Sequence, residues 1–269
     1  MLTHSQTAVF QARGLIRLDD FLPAQKVATA RDIVYGVLEQ HGIRQEGTWH
    51  LDQFEPSTSV VAGSKLVRGI KKSKAFADLM ISDLNDAAME LVDGRTIFPM
   101  MDRPQLLFTL PNAESWTVPH SIWHLDIPRL PKSGILGVQV FTFLDTVEPG
   151  GGGTLVVAGS HRLLNTGEHI RSKNVKRRLK REPYFRDLMS KDVTDRAGFM
   201  QRLGSVDDVQ LQVVELYGRP GDVYLMDMRM LHTLAPNASS VPRMMLTHRF
   251  LLEECREAIY GASDDPEAA

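Results

Sequence analysis

The sequence predicts an α+β protein with a mainly β core, read as an antiparallel sandwich or barrel of jelly-roll type with helices on its outside. Three observations carry that reading. Apolar residues recur at helical spacing in the first hundred positions, short β-rich runs punctuated by Pro and Gly fill 105–252, and no strand–helix alternation of the doubly wound kind appears. A chain of 269 residues suits one large domain or two small ones, and no internal repeat divides it; 1–269 is read as a single domain. At 43% apolar and 24% charged, it is excluded from the disordered and collagen-like classes.

The elements follow in order. Residues 6–12 suit a short helix and 14–18 a brief strand. Pro23 stands where a helix begins, and Val27, Ala30, Ile33, Val34, Val37 and Leu38 keep helical spacing until Gly42. A second helix is expected over 74–92, with Phe76, Leu79, Met80, Leu84, Ala87, Ala88 and Leu91 in its buried stripe, Asp83 at its edge and Gly94 as its cap. These make a helical part of about 1–100. The jelly-roll core of about 105–252 takes its strands from 105–110, 122–128, 135–144, 154–158, 209–216, 222–226 and 243–252. Between them, about 163–206 reads as an insert or lid. Seven of the eleven residues 171–181 are basic, a solvated face or a pull on an anionic substrate. Residues 263–269 read as a frayed end.

Composition narrows the function. A formal net charge of −2 gives no electrostatic case for nucleic acid. The single cysteine, Cys255, can form neither an internal disulfide nor a thiolate metal cage. The apolar stretch 134–144 is broken by Gln139 and is far shorter than the roughly 20 residues of a membrane span. With no signal-peptide pattern at the start, the expected compartment is cytoplasmic.

The chemistry concentrates at His124 and Asp126 in Trp-His-Leu-Asp-Ile. On a strand, residues two apart face the same way, about 7 Å apart, so an imidazole and a carboxylate would share one face while Trp123, Leu125 and Ile127 pack the other. His232 lies 106 residues beyond Asp126, after the turn Pro220-Gly-Asp222 and an apolar strand, and Arg243 follows 11 residues later. Two imidazoles and one carboxylate can hold one face of a metal and leave the other open, as in non-haem Fe(II) oxygenases. A guanidinium nearby suits a dicarboxylate cosubstrate.

Together, His124-Leu-Asp126, the run Gly152-Gly-Thr-Leu-Val-Val-Ala-Gly-Ser-His-Arg162, Pro220-Gly-Asp222, His232 and Arg243 resemble the phytanoyl-CoA dioxygenase family of Fe(II)/2-oxoglutarate enzymes over roughly 15–252. The resemblance implies a double-stranded β-helix, with Fe(II), 2-oxoglutarate and O2 as its reagents. It implies that His124, Asp126 and His232 hold the iron, that Arg243 pairs with the distal carboxylate of 2-oxoglutarate, and that Phe141 stands beside it. Gln139, on the same strand face as Phe141, is a further candidate. Some relatives carry a lysine where this chain has Leu110, so Thr109 is the expected polar substitute. Family halogenases lack the carboxylate; with Asp126 present, hydroxylation of a small organic molecule is expected. The alternative is a cupin-like metal protein, an isomerase or binding protein, that does not use 2-oxoglutarate.

Other residues carry weaker signals. Arg249, six after Arg243, and Arg129 could meet substrate; Arg249 could equally pair with a neighbouring acid, and Arg103 is open in the same way. His120 reads as a surface residue, His161 as structural, Pro149 to Gly153 as a wide hairpin turn, and the methionines at 226, 228, 230, 244 and 245 as core filler. Neither the substrate nor the oligomeric state is written in any motif.

Overall fold

The period-two apolar runs pair as two antiparallel sheets. The computed structural model describes residues 1–130, 134–165 and 170–260. Among these, the main sheets use β1 (Leu15–Leu18), β2 (Ile97–Pro99), β3 (Gln105–Thr109), β4 (Gly137–Phe143), β5 (Leu155–Ala158), β6 (Gly204–Val206), β7 (Val209–Glu215), β8 (Val223–Asp227), β9 (His232–Thr233) and β10 (Arg243–Leu252). The larger sheet runs β1-β8-β4-β10, with β2 and β3 both paired along β10; the smaller runs β6-β7-β5-β9.

Alternation along each strand separates two buried faces. Phe141, Phe143, Tyr224, Met226 and Met245 of the larger sheet share a cluster with Val156 and Ala158 of the smaller, so these faces meet. Val138, Val140, Leu225, Met244 and Leu246 point the other way, into a core shared with Val27, Val34, Phe76 and Leu84 of the N-terminal helices. Each large side chain so buried contributes about 1.5–3 kcal/mol. Arg243, Thr247 and Arg249 alternate with Met244, Leu246 and His248, and therefore lie on the inter-sheet face of β10.

The helices follow their end signals. His4–Arg13 opens on a capping box between Thr3 and Gln6 and closes at Gly14, in the left-handed conformation at φ 75°. A Cβ at Gly14 would lie 2.5 Å from the His161 ring. The His161 ring meets the Gln11 carbonyl at 3.1 Å, a structural role as expected. The helix after Pro23 is Ala24–Gln40. The expected helix 74–92 is instead two, Lys74–Ala77 and Ser82–Glu90. Ile81 is extended at ψ 160°, so the chain re-aims there, and Phe76, Leu79, Leu84, Ala87 and Ala88 are still all buried. Helix Pro56–Leu66 was not expected; only its Pro at the first turn marks it in a Ser/Val-rich run.

Two further expectations are corrected. Pro149 to Gly153 is not a hairpin turn, because β4 and β5 belong to different sheets. It is a crossover whose glycines admit close backbone: a Cβ at Gly153 would stand 2.0 Å from the Leu216 carbonyl. The insert carries helices Ser172–Leu179, Pro183–Leu188 and Gly198–Gln201, packed through Val175, Leu179, Phe185 and Leu188. The frayed end expected at 263–269 lies outside the described residues. Among the described residues, no helix is long and apolar enough to cross a membrane.

Candidate metal centre

The segment 122–128 is not the strand that its alternation predicts. Only His124 bridges, to His232 on β9, and the chain bends around Asp126. The physical reason lies in pairing: Pro128 has no N–H to extend a ladder beyond the bridge at His124. The bend keeps the other half of the pattern: Trp123, Leu125 and Ile127 are buried behind the ligands.

Two backbone bonds join the histidine-bearing segments, from His124 N to the His232 carbonyl (2.8 Å) and from His232 N to the His124 carbonyl (3.1 Å). Each imidazole is then oriented in the same manner. His124 Nδ1 lies 2.7 Å from the Ile122 carbonyl, and His232 Nδ1 lies 3.0 Å from that of Met230. A carbonyl only accepts, so Nδ1 carries the proton and Nε2 is left with its lone pair. Ile122 adopts φ 65°, an outlying conformation for a β-branched residue, two positions before the ligand whose ring its carbonyl holds.

The lone pairs converge on Asp126. His124 Nε2 stands 3.4 Å from Asp126 Oδ1, and His232 Nε2 stands 3.3 Å from Oδ2. One ligand atom from each of the three residues lies within 4.8 Å of the others. Donors about 2.0–2.2 Å from one ion, at right angles, stand roughly 3 Å apart. Two imidazole Nε2 atoms and a carboxylate gathered at one point, with both Nδ1 atoms already engaged by carbonyls, make a donor set that fits a divalent metal with nitrogen and oxygen ligands.

Asp126 is held by more than this. Gln139 Nε2 donates to its Oδ2 at 2.8 Å and to Thr247 Oγ1 at 3.1 Å. Arg249 donates to the same Oδ2 through Nε, at 2.9 Å, and through Nη2. Burial alone would raise the Asp126 carboxyl. Its contacts with His124 and His232 and the positive charge of Arg249 outweigh this and hold it far below the usual range, fully ionised. Asp126 in turn raises His124, against burial and the opposing charge of Lys176.

On the same inter-sheet face, β3 pairs Thr109 with Arg243, and β4 pairs Phe141 with Thr247 and Gln139 with Arg249. Arg243 is 2% exposed, and its Nη1 donates to the Gly152 carbonyl at 2.7 Å. Among the described residues it has no carboxylate partner, and burial pushes it down to about 10. Three buried polar atoms here lack a hydrogen-bond partner: Arg243 Nε, Thr109 Oγ1 and Gln139 Oε1. A cationic group without an acid, beside unpaired polar atoms, fits an anionic ligand with further acceptors and donors. Leu110 points away, fully buried in the outer core.

The structure thus brings His124, Asp126 and His232 together, with Gln139 and Arg249 bonded to Asp126 and Thr109 and Phe141 on the shared face. Of the two possibilities for Arg249, the acid pairing is observed. Arg129 lies on a ribbon where Arg129–Leu130 pairs with Ile170–Arg171. Arg103 donates to the Lys72 carbonyl, His120 is exposed, and the five methionines are buried. Sequence reasoning missed the Gly152 carbonyl, Thr247 and the Ile122 and Met230 carbonyls. Thr247 could have been found from parity, being four residues from Arg243; the carbonyls have no side-chain signal.

A family model described as phytanoyl-CoA dioxygenase (PhyH) matches residues 10–245. The non-heme α-ketoglutarate-dependent carbocyclase SnoK from nogalamycin biosynthesis superposes with a TM-score of 0.53 at 18% identity, covering 93% of this chain and 84% of its own. EvdO2 from Micromonospora carbonacea var. aurantiaca, complexed with 2-oxoglutarate, gives 0.51 at 19% identity, covering 94% and 91%. AviO1 from Streptomyces viridochromogenes Tue57 gives 0.52 at 17% identity, covering 93% and 96%. At such identities the likeness is one of fold. No curated protein sequence matches the chain.

Proposed function

Because the chain belongs to the phytanoyl-CoA dioxygenase family, we propose that it is an Fe(II)- and 2-oxoglutarate-dependent dioxygenase that hydroxylates a small organic molecule, releasing succinate and CO2. We read the two stacked sheets as that family's double-stranded β-helix, in a single domain. The observation that carries the reading is Arg243: a buried guanidinium without an acid, on the sheet face that also bears the partners of Asp126.

His124, Asp126 and His232 would hold the iron through the two Nε2 atoms and the carboxylate. Iron held there together with 2-oxoglutarate would supply the oxidising chemistry. The chain's own residues do the rest. Ile122 and Met230 fix the tautomer and tilt of the two imidazoles, which makes each Nε2 a better donor. Gln139 and Arg249 hold Asp126 ionised and turned inward. Arg243 would take the distal carboxylate of 2-oxoglutarate, with Thr109 Oγ1 and the free Oε1 of Gln139 as polar neighbours and Phe141 as an apolar wall. Burial of this face keeps water from the reacting groups. Hydroxylation is assigned because Asp126 keeps a carboxylate in the ligand set. SnoK, of the same fold, is a carbocyclase, so identification of the product distinguishes hydroxylation from ring closure.

Anaerobic addition of Fe(II) and then 2-oxoglutarate tests the reading. A visible metal-to-ligand charge-transfer band that saturates with 2-oxoglutarate is expected. Metal binding without any response to 2-oxoglutarate would instead favour the cupin-like alternative.

A further inference from the structure

The segment that leads into His124 and the basic helix of the insert enclose a groove of about 450 Å³, within the range of small-molecule sites. Ile122, Trp123 and Met189 form its apolar side, and Lys176, Arg177 and Lys180 form its rim. Ile122 is 64% exposed, an unusual position for a large aliphatic side chain beside a candidate ligand. The helix Ser172–Leu179 buries Val175 and Leu179 in the core, so Lys176 and Arg177 face outward along this rim, with Lys180 just past its end. Among the described residues, Lys176, Arg177 and Lys180 have no carboxylate in ion-pair contact.

The rim is fixed relative to the metal centre. Ser172 N donates to the Pro128 carbonyl at 2.9 Å, and the Ser172 hydroxyl donates to the Ile127 carbonyl, so the helix starts on the two residues after Asp126. Arg196 donates to the carbonyls of Leu188 (2.6 Å), Pro119 (2.9 Å) and Val118 (3.0 Å), tying the insert to the stretch just before His124. The Trp123 indole donates to the same Pro119 carbonyl at 3.0 Å. A groove that begins in the residues just before His124 and carries three cations without an ion-paired carboxylate among the described residues has one evident chemical preference.

We propose that this groove receives the substrate and that the substrate is an organic anion, its apolar body against Ile122, Trp123 and Met189 and its carboxylate, phosphate or sulfate against Lys176, Arg177 and Lys180. The inference rests on the oxygenase reading for the fate of the bound molecule, and on the groove alone for its binding.

The test is calorimetric titration of the full chain with naphthyl phosphate and with naphthol, at low salt and in about 0.5 M salt. Saturable binding of the phosphate is expected, about tenfold tighter than naphthol and weaker in high salt, the sum of three exposed charge contacts. In the variant Lys176→Gln/Arg177→Gln/Lys180→Gln the preference for the phosphate disappears. Equal affinity for the two probes, an unchanged variant, or no saturable binding overturns the proposal. So does a duplex oligonucleotide that binds this rim in a manner that naphthyl phosphate cannot displace. The charge-transfer band, read in parallel, stays in the variant; if it is absent from both proteins while the anion preference holds, the oxygenase reading falls and the groove assignment stands.

Discussion

Arg249 grips Asp126 by a single oxygen: its Nε and Nη2 both donate to Oδ2, which also receives Gln139. Among the described residues, Oδ1 is thereby left with only His124 beside it. Removing the grip, as in Arg249→Ala, should weaken metal binding about 10–100-fold. Arg249→Lys should recover part of it, because an ammonium restores the charge without the two-pronged contact. Competitive titration with a chelator reads both.

His124→Ala and Asp126→Ala should abolish both the charge-transfer band and succinate formation, with far-ultraviolet circular dichroism unchanged. Most of the activity surviving in either variant would remove these residues from the ligand set.

Arg243→Met should leave metal affinity within a few-fold of the parent and cost 2-oxoglutarate binding about 2–5 kcal/mol, the range for removing one partner of a buried charge pair. In the parent, saturating 2-oxoglutarate should raise the apparent Tm by mass action; in the variant it should not. A differential scanning measurement distinguishes the outcomes.

Acid should destabilise the fold through His248, which lies on the outer face of β10 against Phe250, their ring centroids 4.9 Å apart. Burial, assisted by the charge of Arg249, pushes His248 from 6.5 down to about 4. The folded state therefore binds fewer protons than the unfolded chain between these values. Stability from this residue is present above pH 6.5 and lost as pH falls toward about 4, about 3 kcal/mol in all. Urea unfolding across that window should show the loss, and His248→Leu should flatten it.

Arg196→Ala removes a guanidinium that donates to backbone carbonyls, among them Val118, Pro119 and Leu188, and lies over the Phe199 ring. It should cost about 2 kcal/mol and raise amide exchange selectively in the insert helices, with the β-sheet amides unaffected.

Much of this was legible in the sequence where one rule acted alone. β10 coincides with the run 243–252 because Leu, Met, Thr and Phe make up most of it and both of its faces are buried. His124, Asp126 and His232 were found because residue chemistry and order are one-dimensional facts. What escaped depends on where the backbone turns. The bend at Asp126 lies inside an apolar alternation that reads as a strand, and the left-handed Ile122 is a residue type that rarely takes that conformation. The crossover at Pro149 to Gly153 was read as a hairpin because glycine marks a turn without saying which sheet follows. The break at Ile81 hides in an apolar stripe whose residues are buried on both sides of it.

The reciprocal backbone bonds between His124 and His232 have a kinetic corollary. They cinch together two stretches that are remote along the polypeptide through the main chain itself. The socket is therefore ready-made: loading requires dehydration of the incoming cation and a small adjustment of three side chains, not the refolding of a loop. Stripping and recharging the protein should be fast and fully reversible.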